Sequence, residues 1–138
     1  MSEDSVFEYK GLTLLVNREF NYLEVVIDEK NFSNQEKYIS SVSRMLEFAL
    51  DIHPRFIIIN REKHKFTITS KLFPFTSNNI INPLKIDNVK KIICIGTEEE
   101  YQIRYKEIEE LEPFIKWVNS KQAAIEWIKQ TEQENPNP

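Results

Sequence analysis

Three short apolar runs dominate the hydrophobic pattern of this chain. They occupy residues 56–59, 92–95 and 114–118, and each is rich in β-branched or aromatic residues. Each run has the length of a strand, and a stretch of helical length separates it from the next. This alternation predicts β-α-β crossover units, with parallel strands buried under helices on both faces of a sheet.

Two further strand-like runs precede these three. Residues 12–16 and 22–27 flank the polar stretch 17–21, which predicts an antiparallel hairpin at the start of the sheet. The second run carries Glu24 between Tyr22 and Val26 on one face, and this mixture predicts a half-exposed edge strand. The expected fold class is therefore α/β: a mixed, mostly parallel sheet with an N-terminal hairpin and helices on the sheet faces.

Helix signals lie between the runs. Ser33 and Glu36 form a capping box, and Pro54 predicts where the helix that follows it ends. The apolar stripe of this helix consists of Tyr38, Val42, Met45, Leu46 and Ala49. The crossover at 72–86 contains two prolines, which predicts a short or irregular helix between about residues 75 and 81.

Two more helices are expected in the C-terminal third. Thr97 and Glu100 form a second capping box, followed by an apolar stripe that reaches Leu111. Either Asn119 or Ser120 can cap the final helix. The chain is expected to form one domain over residues 1–138, with an ordered core at about 6–130 and a frayed tail at 131–138.

Composition narrows the functional classes. The 138 residues suit one domain, and the two glycines are too few for a Gly-rich phosphate loop. A formal charge of −4 argues against a nucleic-acid partner. The single cysteine, Cys94, lies in an apolar run, which predicts a buried thiol. No secretory signal or membrane-spanning run is visible, so a cytoplasmic protein without a membrane span is expected.

The order hairpin, helix, strand, crossover, strand, helix, strand, helix resembles the STAS-like fold of sulphate transporters and anti-sigma-factor antagonists. The resemblance is carried by residues 22–27, 55–60, 89–95 and 114–128, the last of which looks like the C-terminal end of small single-domain bacterial members. It implies a regulatory domain that binds a protein partner. Family members that are phosphorylated switch through a hydroxyl in an Asp-Ser-Ser-Gly-like turn after the strand that corresponds to 56–59.

In this chain the corresponding stretch, residues 60–71, has no aspartate before a hydroxyl pair and no glycine. Thr69 and Ser70 occupy the comparable place. Each is a possible regulatory hydroxyl, because a phosphate is stabilised at a helix N-terminus. The alternative is that one of them caps the helix that follows.

The loop after the first apolar run is the candidate binding site, because ligands of open α/β sheets gather outside the carboxyl ends of the strands. Its ligand- or partner-binding candidates are Arg61, Lys63, His64, Lys65 and Lys71. An anionic ligand or an acidic protein surface would suit these residues. The alternative is a solvated loop whose charges serve solubility.

No catalytic arrangement is recognisable. His53 is interpreted as the end of a helix, and His64 has no evident nucleophile beside it. Three consecutive glutamates at 98–100 point in different directions on a helix, so they do not predict a metal site. Phe73 and Phe75, with two nearby isoleucines, are expected either to pack in the core or to form a partner patch.

The sequence therefore predicts a non-enzymatic protein-interaction domain without a cofactor or metal, and with an unidentified protein partner. The alternative is a domain that binds an anionic or amphipathic small molecule in the crevice at the same strand ends.

Overall fold

The computed structural model describes residues 5–64, 69, 71–96 and 114–134. Within them, six strands form one sheet whose spatial order is the order along the chain. The strands are β1 (Ser5–Tyr9), β2 (Leu12–Asn17), β3 (Tyr22–Val26), β4 (Phe56–Asn60), β5 (Lys91–Ile95) and β6 (Ile115–Val118). β1, β2 and β3 form an antiparallel meander, and β3 to β6 run parallel. The predicted α/β fold class is confirmed.

β3 lies inside the sheet, between β2 and β4, and all five of its residues are buried. The prediction of a half-exposed edge strand was wrong, because β3 pairs with β4 as well as with its hairpin partner β2. β1 pairs with β2 and extends the sheet beyond the predicted hairpin. β1 has mostly exposed side chains. It therefore lacks the buried alternation by which a strand is recognised in a sequence.

Two helices follow β3: α1 (Glu29–Phe32) and α2 (Gln35–Ile52). The N-cap of α2 is Asn34, whose side chain accepts the amide of Lys37 at 2.9 Å. The predicted cap, Ser33, instead ends α1, and this moves the start of α2 by one residue. α2 ends at His53, which has a left-handed backbone (φ 54°), as its interpretation as a helix end predicts.

The crossover between β4 and β5 is one irregular helix. It consists of α3 (Phe73–Thr76), a π-helical turn (Ser77–Ile81) and α4 (Asn82–Asp87), and is longer than predicted. Pro74 and Pro83 each lie in the first turn of a helical segment, where a missing amide hydrogen costs least. Phe73, Ile80 and Ile81 are buried, and Phe75 packs against the core cluster that contains the two isoleucines, so these residues belong to the core.

Two apolar layers cover the sheet. On one face, α1, α2 and the crossover pack against side chains such as Leu23, Ile57 and Cys94, whose thiol is buried as predicted. The helical stripe of α2 contributes Tyr38, Val42, Met45 and Ala49. On the other face, α5 (Lys121–Glu134) places Ala124 and Ile128 on an aromatic and aliphatic surface of β3, β4 and β5.

α5 is capped by Ser120, whose hydroxyl oxygen accepts the amide of Ala123 at 3.1 Å. The helix continues through Glu134, so residues 131–134 are part of α5. Glu132 pairs with Arg55 at 3.2 Å, which holds this last turn against the start of β4. The predicted helix from Thr97 to Leu111 and residues 135–138 lie outside the described residues.

Candidate functional site

The parallel strands end together at one edge of the sheet, here called the carboxyl edge. Val26 of β3 is level with Asn60 of β4, and Ile95 of β5 is level with Val118 of β6. The backbone continues this pairing beyond the strands, because the amide of Ile27 donates to the carbonyl of Asn60 at 2.9 Å. In open α/β sheets, this edge is where binding sites form.

Arg61, the first predicted binding residue, lies inside the protein. It is 2% exposed, and its Nη1 donates to the carbonyl oxygen of Ile95 at 3.4 Å. The guanidinium therefore links the end of β4 to the end of β5. A buried cation requires such polar partners, and Arg61 does not contribute to the exposed surface on which it was expected.

A buried ionic network lies beside Arg61 on the face that α5 covers. Glu24, in the middle of β3, is 1% exposed. Its Oε2 accepts the side-chain amide of Asn60 at 2.8 Å, and its Oε1 lies 2.8 Å from Nζ of Lys121. Lys121 is the first residue of α5 and is about one third exposed. The network therefore fixes the start of α5 above the centre of the sheet.

Sequence reasoning missed this network, although a signal for it was present. Glu24 is flanked by apolar residues on both sides in a strand-like run. A carboxylate in such a run either faces water or is buried with a cation. The cation, Lys121, is 97 positions away, and nothing local in the sequence relates the two.

The segment after β4 is held at three points. Besides Arg61, the side-chain oxygen of Asn60 accepts the amide of Glu62 at 2.9 Å. Nε2 of His64 lies 3.3 Å from the carbonyl oxygen of Phe32, at the end of α1. Lys63 is exposed between these anchors. The structure thus places one predicted cation on a well-anchored, solvent-facing turn.

The other predicted residues of this loop differ in their placement. Lys71 is exposed, whereas Lys65 and Ser70 lie outside the described residues. Thr69 is exposed, and both its hydroxyl and its carbonyl oxygen accept the amide of Leu72, at 3.3 and 3.0 Å. Thr69 therefore closes the turn that leads into α3, whose own N-cap position is Leu72.

The two histidines lie at opposite ends of β4 and do not share a site. His53 pairs through Nδ1 with Asp87 at 2.9 Å, next to the start of the strand. His64 follows the end of the strand. Among the described residues, no three His, Cys, Asp or Glu side chains come together in a way that could hold a metal ion.

A shallow pocket of about 290 Å³ lies between α1 and α2, next to the part of α1 that His64 contacts. We call it the α1–α2 pocket, and it is lined by Lys30, Asn31, Lys37, Ser40, Ser41 and Arg44. Sequence reasoning did not single out these residues. The three cations are spread over fifteen positions and do not form a charge run.

No helix of the described part of the chain has both the length and the apolar character needed to cross a membrane. No family model, curated protein or solved structure matches this chain. The STAS-like resemblance accordingly stays a prediction.

Proposed function

We propose that this chain is a non-enzymatic regulatory domain of STAS-like type, which binds an acidic surface of a protein partner at its carboxyl edge. The contact surface consists of Lys63, Lys71 and the anchored backbone of residues 60–64.

One observation carries this proposal: the polar groups at the carboxyl edge divide into an internal set and an external set. Glu24, Asn60 and Arg61 bind groups of the protein itself. Lys63 and Lys71 face solvent. A buried and internally paired carboxylate is poorly placed for chemistry, whereas exposed lysines on a fixed frame suit electrostatic recognition of an acidic surface.

The test reverses charge at this surface. Immobilised wild-type protein, a Lys63→Glu/Lys71→Glu variant and a Lys90→Glu/Lys116→Glu variant are compared in cross-linked pull-downs from the native host. Both variants change the net charge equally, and Lys90 and Lys116 are exposed away from the carboxyl edge. We expect the wild-type protein and the Lys90→Glu/Lys116→Glu variant to retain the same partner proteins. The Lys63→Glu/Lys71→Glu variant should lose them. Equal retention by all three, or no retained protein, would contradict the proposal.

Binding of a small anion is a second candidate function, favoured by the three cations of the α1–α2 pocket. This pocket differs from the strand-end crevice that the sequence indicated, since it lies between α1 and α2 and none of its lining residues belongs to the segment after β4.

A further inference from the structure

The α1–α2 pocket has a fixed floor. Ser41, 1% exposed, donates its hydroxyl hydrogen to the carbonyl oxygen of Asn31 at 2.8 Å. Asn31 is also buried, and its side-chain amide donates to the carbonyl oxygen of Gly11 at 2.9 Å. These bonds tie α1, α2 and the β1–β2 turn together. Asn31 and Ser41, which form the floor, are therefore held in place before any ligand arrives, which lowers the entropic cost of binding.

The walls of the pocket are cationic. Lys30 is in the last turn of α1, and Lys37 and Arg44 are two turns apart on α2. Nη1 of Arg44 donates to the carbonyl oxygen of Lys10 at 2.9 Å, which fixes the guanidinium at the rim. A guanidinium carries five N–H donors, so this bond leaves others for a ligand. The hydroxyl of Ser40 adds a neutral donor.

Two of the carboxylates near the pocket, those of Glu47 and Asp28, already have other partners. Glu47, one turn beyond Arg44, accepts hydrogen bonds from Lys10 at 3.0 Å and from the hydroxyl of Tyr9 at 2.9 Å. Asp28 caps α1 by accepting the amide of Asn31 at 2.8 Å. Glu29, beside Lys30, is exposed. Three formal positive charges thus line one small pocket of a chain whose net charge is −4.

We infer that the α1–α2 pocket binds the phosphoryl group of a phosphate monoester. The volume of about 290 Å³ is at the lower limit for ligand pockets and accommodates a phosphoryl group together with part of the group that carries it. An arginine and two lysines match its two negative charges, and arginine and serine donors match its oxygens. The lining residues of this site are different from those of the partner surface around Lys63 and Lys71, and the inference stands or falls independently of that proposal.

The test is an NMR titration of the amide spectrum of the ¹⁵N-labelled protein with inorganic phosphate and with O-phosphoserine. Sodium acetate and sodium chloride at equal ionic strength are the reference salts. We expect saturating shifts at residues 30–31 and on the pocket face of α2 with both phosphate compounds and not with the reference salts. A phosphoserine pentapeptide distinguishes the two sources: affinity equal to that of O-phosphoserine indicates a free monoester, and tighter binding indicates a phosphorylated protein segment.

A Lys30→Gln/Lys37→Gln variant should weaken phosphate binding by at least about tenfold, because it removes two charge-assisted contacts. A Lys90→Gln/Lys116→Gln variant has the same change in net charge and should bind as wild type does. The inference is wrong if chloride produces the same shifts, if phosphate at millimolar concentration produces none, or if both variants lose affinity equally.

Discussion

Six polar or charged residues are buried in the described part of the chain, and each has a defined hydrogen-bond partner. They are Asn17, Glu24, Asn31, Ser41, Arg61 and Thr76. A buried polar group without a partner would cost about 1–3 kcal/mol, so these pairings select one arrangement of the elements they join. In this protein, individual buried polar residues carry much of the specificity of the fold.

Tyr38 provides a pH-dependent test at this scale. Burial raises the pKa of its phenol from 10.0 to about 12, and its hydroxyl lies 2.8 Å from that of Thr76. Since the folded chain keeps a proton that the unfolded chain loses above pH 10, this group destabilises the fold as the pH rises from 10 to 12, by about 2 kcal/mol over that interval.

We expect Tyr38→Phe to lose about 1 kcal/mol of unfolding free energy at neutral pH, because the bond to Thr76 is removed. The variant should also lose less stability than wild type between pH 10 and 12. Urea denaturation at a series of pH values measures both effects. If the unfolding free energies of the two proteins changed in parallel with pH, the raised pKa of Tyr38 would be contradicted.

The start of α2 offers a second residue-scale test, since the structure selects Asn34 as the cap and the sequence suggested Ser33. Asn34→Ala should reduce the free energy of unfolding by about 1 kcal/mol, because the amide of Lys37 loses its partner. Ser33→Ala is the matched control and should have a much smaller effect. Urea denaturation measures both losses of unfolding free energy. A larger loss for Ser33→Ala than for Asn34→Ala would support the capping box that the sequence suggested.

Elements with a strong local signal were predictable from the sequence, and those defined by tertiary contacts were not. The aliphatic runs of β4 and β5 and the stripe of α2 follow from periodicity alone. β1 lacks such a pattern, because its side chains are mostly exposed. It is held in the sheet by its pairing with β2. β3 was misplaced for a different reason: its pairing with β4 and the burial of Glu24 both depend on distant segments.

The attachment of α5 depends on the ion pair between Lys121 and Glu24. Lys121→Met should cost about 2 kcal/mol of unfolding free energy, since it leaves a buried carboxylate without its cation; partial exposure of Lys121 keeps the cost below that of a fully buried pair. Adding Glu24→Gln should recover part of the loss, with a coupling energy of at least about 1 kcal/mol.

Lys129→Met is the matched control for this cycle, because Lys129 is exposed on the same helix. Its effect should add to that of Glu24→Gln. Additive losses for Lys121→Met and Glu24→Gln in guanidinium denaturation would mean that the ion pair does not hold α5.

For the whole molecule, burial is greatest in the middle of the sheet and falls towards β1 and β6. β3 is buried throughout, and β4 and β5 contribute most of the remaining sheet core, whereas β1 is mostly exposed and β6 has no buried residue. Local opening is therefore expected to begin at the two outer strands.

Hydrogen exchange tests this gradient. Amides of Ile57 and Ile93, whose side chains are fully buried, should exchange only through global unfolding. The hydrogen-bonded amides of β1 should exchange at least about a hundredfold faster. Mass spectrometry or NMR under native conditions gives both rates. Equal protection of β1 and β4 would contradict the gradient.

The sequence was sufficient to predict which edge of the sheet carries the candidate site, but not which side chains are exposed there. The strand-end rule located the carboxyl edge from the run at 56–59 alone. Which side chains of the next segment face water depended on contacts with distant residues, such as the bond from Arg61 to Ile95. The α1–α2 pocket likewise gathers cations from two helices whose relative position only the folded chain defines.

The agreement between sheet order and chain order has a consequence for synthesis on the ribosome. Each strand that emerges finds its neighbour already in place, so the sheet can grow from β1 towards β6 without waiting for distant segments. The face that α5 covers is the exception. Within the described ranges, the side chains that pack over Phe56, Ile58 and Ile93 include Ala124 and Ile128, which emerge last. Stalled translation before α5 would leave this nascent chain with an open apolar face, the kind of surface that chaperones bind.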